Sequence, residues 1–453
     1  MVQRYDSLMI GGGQAGVTLA VRAARHARVA FVERAELGGT CLNRGCIPTK
    51  TMIASAAVAH LVGRAGEYGV HAGRPEVDLA AVVDRKDRIV AAARANAYRT
   101  VEQADNLDFY PEEGRFEAGR RFRVNGTALE ADRIFVMTGS RSAIPAIDGL
   151  DQVPYFTSTT MLNLRELPGH LVVVGGGYIG CEFAQMFRRF GAPVTVVQAA
   201  GRLLPAEDPA VSAVVADSFA AEGIDVLTNT SVIGVSGGAG AIEVGCRPEA
   251  NTELATHLLI AAGRTPNSDG LGLEHLDLQP DPSGYLRVDA VLHTAADDVW
   301  ALGDLRGGPM FTHTARDDAD VVYRSVFRAQ PRTIAGRIVP HAVFVDPEVA
   351  AVGLTETEAR AAGYDVFVGQ QEFAAGGKAR AVGETRGFIK LVVHAADDRI
   401  LGCHIVGYDA ANLIHEAVAA MVAGMTRTAL GRMVHIHPTL AEGMSAAAGG
   451  VHH

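Results

Sequence analysis

Two stretches of this 453-residue chain follow the same grammar, and that repeat restricts the folds open to it. In the first, Ser7 to Ile10 reads as an apolar strand and Gly11-Gly12-Gly13-Gln14-Ala15-Gly16 supplies G-x-G-x-x-G. An Ala-rich helix follows, then a strand from Val29 to Val32 that ends at Glu33. In the second, Leu171 to Val174 precedes Gly175-Gly176-Gly177-Tyr178-Ile179-Gly180, a helical stretch to Phe190 and a strand from Val194 to Val197. A strand, a glycine turn and a helix in this order aim unpaired N–H groups and the positive helix end at a pyrophosphate, and the glycines let the backbone come close to it. Gly11, Gly13 and Gly16, with Glu33 placed to accept from ribose hydroxyls, form one such site. Gly175, Gly177 and Gly180 form another. Two units imply two bound dinucleotides on an α/β chain.

Just after the first unit, Gly38-Gly39-Thr40-Cys41-Leu42-Asn43-Arg44-Gly45-Cys46-Ile47-Pro48-Thr49-Lys50 brings two cysteines close in sequence. With four residues between them they can sit about one helical turn apart, where a modest distortion bonds the sulfurs. A helix beginning near Cys41 would lower the thiolate pKa there. A structural or metal-holding pair is the bland alternative, but without a second cysteine pair or a close histidine cluster a zinc site is not expected. Lys50 lies one turn past Cys46 on the same helix. Near the other end of the chain, His435-Ile436-His437-Pro438-Thr439-Leu440-Ala441-Glu442 joins a histidine to a carboxylate. Such a pair can accept and return a proton near neutral pH, as thiol chemistry requires.

These motifs resemble the FAD-dependent pyridine nucleotide-disulfide oxidoreductases, the glutathione reductase and lipoamide dehydrogenase family, and the resemblance covers essentially the whole chain. Met137-Thr138-Gly139, Ala261-Ala262-Gly263-Arg264-Thr265-Pro266-Asn267 and Val299-Trp300-Ala301-Leu302-Gly303-Asp304 add to it. It implies two Rossmann-like dinucleotide-binding domains plus a C-terminal α+β dimerisation domain. The expected limits are 1–142 for FAD, 143–264 for NAD(P), 265–338 for the return of the FAD domain and 339–453 for dimerisation. FAD would use the first fingerprint with Glu33, Gly39, Thr40, Lys50, Thr138, Gly139, Asp304 and His313. NADPH or NADH would use the second with Tyr178, Gln198, Arg202 and Gly263. By resemblance, Cys46 faces the flavin as its charge-transfer thiolate and Cys41 attacks the acceptor. Lys50 and Glu182 form an ion pair beside the flavin, and His437 with Glu442 is the catalytic acid-base. The family arrangement is a homodimer in which this pair meets the cysteines of the other subunit. Tyr178 resembles the residue that covers the nicotinamide pocket in glutathione reductases, against a plain packing role.

The acceptor is less constrained. Phe311-Thr312-His313-Thr314 and the ending after His437 look most like mercuric reductase-like bacterial proteins, which points to Hg(II) or Cu(II) as an alternative acceptor. Mercuric reductases, however, carry a C-terminal cysteine pair and a tyrosine in place of the base, whereas no cysteine follows Cys403 here. The His437 and Glu442 pair therefore favours a small-molecule disulfide. A cysteine-independent NAD(P)H oxidase or diaphorase, or a subunit docked on a larger complex, remain as further readings. At the position of the second ribose-binding acid stands Gln198, a neutral amide that spares a 2′-phosphate from repulsion, and Arg202 is the nearby cation. Both observations lean to NADPH with NADH tolerated.

A net charge of −10 argues against nucleic acid or an anionic membrane surface as partner. No apolar run is long enough to span a bilayer, and the first strand begins too near Met1 for a signal peptide. Five scattered cysteines are not a secreted disulfide framework, so Cys181, Cys246 and Cys403 read as small buried thiols and the expected compartment is the cytoplasm. A helical insertion is expected from Thr49 to Gln103, a short β excursion from Arg115 to Ile134, and a strand-rich meander from Val226 to Ile260 that turns at Gly237-Gly238-Ala239-Gly240. From Pro340 onward, strands at 342–345, 349–352, 387–393 and 400–406 precede an amphipathic helix at 410–424.

Overall fold

The computed structural model describes residues 2–248 and 253–452, so residues 249–252 of the expected meander lie outside it. The chain forms two compact units, one from residues 1–51, 81–143 and 263–337 and the other from 52–80, 144–262 and 338–453.

The first unit is built on a seven-stranded sheet. Val2–Ile10 lies between Val29–Val32 and Thr127–Val136, parallel to both, and Leu107–Tyr110 and Val299–Ala301 extend the parallel part. Gly114–Ala118 and Arg121–Val124 then add antiparallel strands. Val29–Val32 is buried at every residue, as expected of a parallel strand covered on both faces. One face packs Leu19, Phe31, Phe135 and Trp300 into a core, and the other packs Leu8, Phe116, Phe122 and Leu305. Register fixes the functional edge. Ile10 pairs with Val32 and with Val136, and Ala301 pairs with Val136, so four strands end together. The segments leaving those ends carry the first fingerprint, Glu33, Thr138 and Asp304. In an open α/β sheet this carboxyl edge is where ligands bind.

The second unit repeats the plan. Leu171–Val174, wholly buried, lies parallel between Val194–Val197 and His257–Ile260, with Asp225–Leu227 and Phe156–Thr157 at the edges. Its other part is a six-stranded antiparallel sheet against which helix Ala410–Val422 packs Ile414, Ala417 and Ala420. Among the described residues no helix is long and apolar enough to cross a membrane.

The helical insertion expected over Thr49 to Gln103 consists of two helices, Cys46–Gly63 and Leu79–Glu102. The chain turns between them through the left-handed Gly69 (φ +72°) and on past Pro75. Val366–Glu372 is an unexpected strand, paired with Phe388–His394. The helix expected to begin near Cys41 is broken: Gly39–Asn43 ends where Arg44 adopts φ −144°, and a new helix starts at Cys46.

Candidate active site

At the carboxyl edge of the first unit the glycines are set by close approach. A Cβ on Gly11 would lie 2.3 Å from the Met137 carbonyl oxygen, and one on Gly16 would lie 1.8 Å from that of Gly11. Gly13, by contrast, faces open space. Glu33 clasps this turn, its Oε2 accepting from the Gly12 N–H at 2.5 Å and its Oε1 from the Ala35 N–H at 2.7 Å. Gly39 sits against Gly13, since its Cβ would be 2.7 Å from the Gly13 Cα. A cavity of about 270 Å³ opens here, lined by Gly11, Glu33, Thr138, Arg141 and Asn267 among others. Thr138 Oγ1 donates to the Asn267 carbonyl at 2.7 Å and Asn267 Nδ2 donates back to the Thr138 carbonyl at 2.9 Å, closing one wall; Gly139 accepts from the Asn267 N–H at 2.9 Å.

Asp304 accepts from the Ser140 hydroxyl, which in turn receives Arg264 Nε at 2.7 Å. The turn bearing Asp304 is tied to helix Thr312–Val322 by the fully buried Asp318, which accepts from the Gly303 N–H at 2.9 Å, Arg306 Nε at 2.7 Å and Arg337 Nη1 at 2.8 Å. A buried carboxylate is tolerable when satisfied this fully, and stripping its partners would be strongly destabilising. His313 is exposed at the start of the same helix and stacks on Phe311, ring centres 5.3 Å apart. Two residues into the helix, Thr314 Oγ1 is buried without a hydrogen-bond partner. Open space over Gly13, a carboxylate at the strand end and an orphaned buried hydroxyl fit a dinucleotide cofactor.

The cysteines are both unbonded thiols, Cys41 half-buried and Cys46 exposed. Cys46 Sγ lies 3.5 Å from Thr312 Oγ1, and Cys41 hydrogen-bonds to both Cys46 and Thr312. The lowered Cys41 pKa expected from a helix start is not what this arrangement gives. The hydrogen bond with Cys46, followed by burial, pushes the Cys41 thiol up, while Thr312 and the Arg316 guanidinium work the other way. The physical reason is the broken helix, which gives the N-terminal position to Cys46. Arg316 is held by Gln14 of the first fingerprint, Nη2 to Oε1 at 2.6 Å, and Gln14 Nε2 reaches the Gly38 carbonyl at 3.1 Å. Thr312→Val should therefore shift alkylation of Cys41 by iodoacetamide in the reduced protein to higher pH. An unchanged pH profile would exclude the hydroxyl from this role.

In the second unit Gly177 faces open space, and a Cβ on Gly180 would lie 1.8 Å from the Gly175 carbonyl oxygen. Gln198 occupies the place that Glu33 holds in the first unit: its Oε1 accepts from the Gly176 N–H at 3.0 Å and its Nε2 donates to the Arg202 carbonyl at 3.4 Å. Arg202 folds back on its own loop, Nη2 donating to the Pro205 carbonyl at 2.8 Å. Tyr178 donates to Glu207 Oε1 at 2.5 Å. Glu182 is buried on helix Tyr178–Phe190 and accepts from the Phe344 N–H at 3.0 Å, and Lys50 lies on helix Cys46–Gly63. The Gly263 carbonyl accepts from the Ala143 N–H at 3.0 Å.

His437 Nδ1 and Glu442 Oε1 are 2.9 Å apart, and Glu442 Oε2 accepts from the Thr439 N–H at 2.9 Å. That backbone bond, then the one from His437, holds the Glu442 carboxyl below its ordinary pKa. The carboxylate fixes Nδ1 as the protonated nitrogen and leaves Nε2 able to accept a proton on a side chain that is 78% exposed. His435 is instead engaged with Glu416 Oε1 at 2.8 Å.

Sequence reasoning missed Thr312, Ser140, Arg141, Arg264 and Asn267 as site residues. Arg264, Asn267 and Thr312 stood in motifs already singled out, but only the folding of a distant helix brings Thr312 to Cys46.

Residues 5–319 match the family described as pyridine nucleotide-disulphide oxidoreductase, and residues 339–448 match its dimerisation domain. A dihydrolipoyl dehydrogenase from Chlorobaculum parvum is 36% identical over 457 residues, covering 98% of this chain and 96% of that protein. A mercuric reductase from Lysinibacillus sphaericus is 33% identical over 447 residues, covering 98% of this chain and 82% of the other. The structure of the HOCl-induced flavoprotein disulfide reductase RclA from Escherichia coli superposes with a TM-score of 0.89 at 34% identity, covering 98% of this chain and 99% of that one.

Proposed function

The chain belongs to the pyridine nucleotide-disulphide oxidoreductases, and from that premise we propose that it reduces a small-molecule disulfide at Cys41 and Cys46 with NADPH, accepting NADH as well. It is an oxidoreductase of a family that uses FAD and NAD(P)H, and its dimerisation domain makes the homodimer its assembly. We assign 1–142 with 265–338 to FAD, 143–264 to the nicotinamide dinucleotide and 339–453 to dimerisation, and place the enzyme in the cytoplasm.

FAD, when bound, relays two electrons from the reduced nicotinamide to the cysteine pair. Gly11, Gly13, Gly16, Glu33, Gly39, Thr40, Lys50, Thr138, Gly139, Asp304 and His313 would hold it. The chain's own residues then complete the reaction. His437 takes the Cys41 proton as that sulfur attacks one sulfur of the acceptor, forming a mixed disulfide and breaking the acceptor's S–S bond. The departing thiolate takes this proton from His437. Cys46 then gives up its proton and attacks the Cys41 sulfur, the second thiolate leaves with that proton, and Cys41 and Cys46 end as a disulfide ready for the next two electrons.

The observation that carries the disulfide reading is the His437 and Glu442 pair, whose oriented, exposed imidazole is what a thiolate leaving group needs. Reduction of a metal ion would make no comparable demand. We further propose that this base comes from the partner subunit. Val434 and Ile436, just before it, are 99% and 79% exposed in the single chain, unusual for apolar side chains unless a second copy covers them. Dimers mixing Cys41→Ser chains with His437→Ala chains should then hold one intact site and show partial activity, although each parent dimer is inactive. Correctly assembled mixed dimers without activity would contradict a shared site.

A further inference from the structure

Helix Thr312–Val322 meets Cys46 at its first residue, and residues four apart along it share a face. Arg316 and Asp320 therefore continue the face that Thr312 begins, with Arg316 about 6 Å along the axis from Thr312. Helix Gln14–Ala23 of the first fingerprint lies alongside. Gln14 Oε1 accepts Arg316 Nε at 3.1 Å and Nη2 at 2.6 Å, and Arg22 Nη2 donates to Asp320 Oδ1 at 3.0 Å. This seam carries more guanidinium than carboxylate. Asp320 also pairs with Arg324 at 2.7 Å and Arg332 at 2.8 Å, and Asp317 pairs with Arg332 at 2.7 Å and Arg337 at 2.9 Å. With the buried Asp318 and its partner Arg306 included, five arginines share three aspartates. Arg316 shares none of them. Among the described residues it meets no carboxylate, and its exposed guanidinium is held only by the neutral amide of Gln14. Gln14 Nε2 donates to the Gly38 carbonyl at 3.1 Å, which turns Oε1 toward the arginine. In a chain of net charge −10, this cationic surplus stands beside the thiols.

We propose that Arg316 is a specificity-determining residue that binds a carboxylate of the acceptor, so that the disulfide reduced at Cys41 is an acidic one. This deepens the disulfide reading and rests on it. Gln14 occupies the Nε side of the guanidinium and leaves the Nη1 and Nη2 edge without a partner among the described residues. That edge is the one that takes a carboxylate through two parallel bonds. Because Gln14 already orients the fork, little further ordering is needed when an anion arrives. The neighbouring arginines draw a negative arm toward the seam and repel a positive one. An arginine that only braced the two helices would be paired with an acid, as Arg22, Arg324 and Arg332 are.

The test compares disulfides matched except for charge, lipoate against lipoamide and dithiodipropionate against its diamide, with the FAD-loaded dimer and NADPH. A hydrogen bond to a charged group corresponds to about tenfold or more, so wild-type kcat/KM should be about tenfold or more higher on each acid than on its amide. Arg316→Gln should bring each pair level. Any effect of Arg316 on the Cys41 thiolate acts on acid and amide alike and cancels in the ratio. Equal wild-type efficiencies, or a preference that survives in Arg316→Gln, would overturn the proposal. FAD retention through gel filtration is followed alongside. Loss of the cofactor from Arg316→Gln with an unchanged ratio would overturn it too, and would assign the guanidinium to the cofactor's pyrophosphate. Cys41→Ser separates the underlying reading. A wild type no faster than Cys41→Ser on all four compounds sinks the disulfide reading and the acidic arm together. A wild type that far outpaces Cys41→Ser on acids and amides alike sinks the acidic arm alone.

Discussion

Cys41→Ser is expected to lose disulfide turnover by about 10³-fold or more, because a serine hydroxyl is a far poorer nucleophile toward sulfur than a thiolate and nothing else in the site replaces it. This part is the one proposed for Cys41. The hydrogen bond with Cys46 and burial hold its thiol up, and the Thr312 hydroxyl and the Arg316 guanidinium work against them. Cys46 opens the 18-residue helix Cys46–Gly63, where it can serve as the resolving thiol. Removing the Cys41 sulfur leaves the glycine turn, Glu33 and the Thr138 wall of the cofactor cradle untouched. The variant should therefore bind FAD and still take up electrons from reduced nicotinamide dinucleotide under anaerobic conditions while failing to pass them on. Rapid-mixing reduction and steady-state assays separate the two halves. Disulfide turnover within a few-fold of wild type would show that the pair is not the path to the acceptor, and would favour a cysteine-independent oxidase or diaphorase.

What the sequence disclosed was governed by range. Gly11 and Gly16, Gly175 and Gly180, and the strands that precede them announce themselves because the turn needs glycine within a few residues of an apolar run, and the structure finds the same close approaches at both turns. The buried strands Val29–Val32 and Leu171–Val174 were legible for the same reason. Val366–Glu372 was not, since Gly369, Gln370, Gln371 and Glu372 break the apolar pattern, and its place is fixed by pairing with Phe388–His394. The helix break at Arg44 and Gly45 lies inside a run whose composition suits either one helix or two, and it overturned the expected effect on Cys41. Thr312 touches Cys46 from 266 residues away. Glu207, an acid in a loop, would ordinarily be read as solvated, and only the fold reveals it as buried between Tyr178 and His341. Local backbone needs are written in local sequence, whereas contacts that tune a thiol or pin a ring are made by residues with no reason to be neighbours in the chain.

His437→Ala carries the second large effect. A thiolate leaving a mixed disulfide near neutral pH departs far more readily when a proton is delivered as the bond breaks, and general acid-base help of this kind is typically worth about 10²–10⁴-fold. Glu442 fixes the tautomer and orientation that this transfer requires, through the 2.9 Å bond to His437 Nδ1. Electron delivery to Cu(II) or Hg(II) breaks no sulfur–sulfur bond in the acceptor and so does not need the imidazole in this way. The decisive measurement is the catalytic efficiency of wild type and His437→Ala, with NADPH as donor, on lipoamide, glutathione-type disulfides, Cu(II) and Hg(II). The account predicts that one disulfide is the best wild-type acceptor, that His437→Ala loses about 10²–10⁴-fold on it, and that metal-ion reduction changes little. A wild-type efficiency on Cu(II) or Hg(II) far above that on every disulfide, left intact by His437→Ala, would contradict it and identify a metal-ion reductase instead.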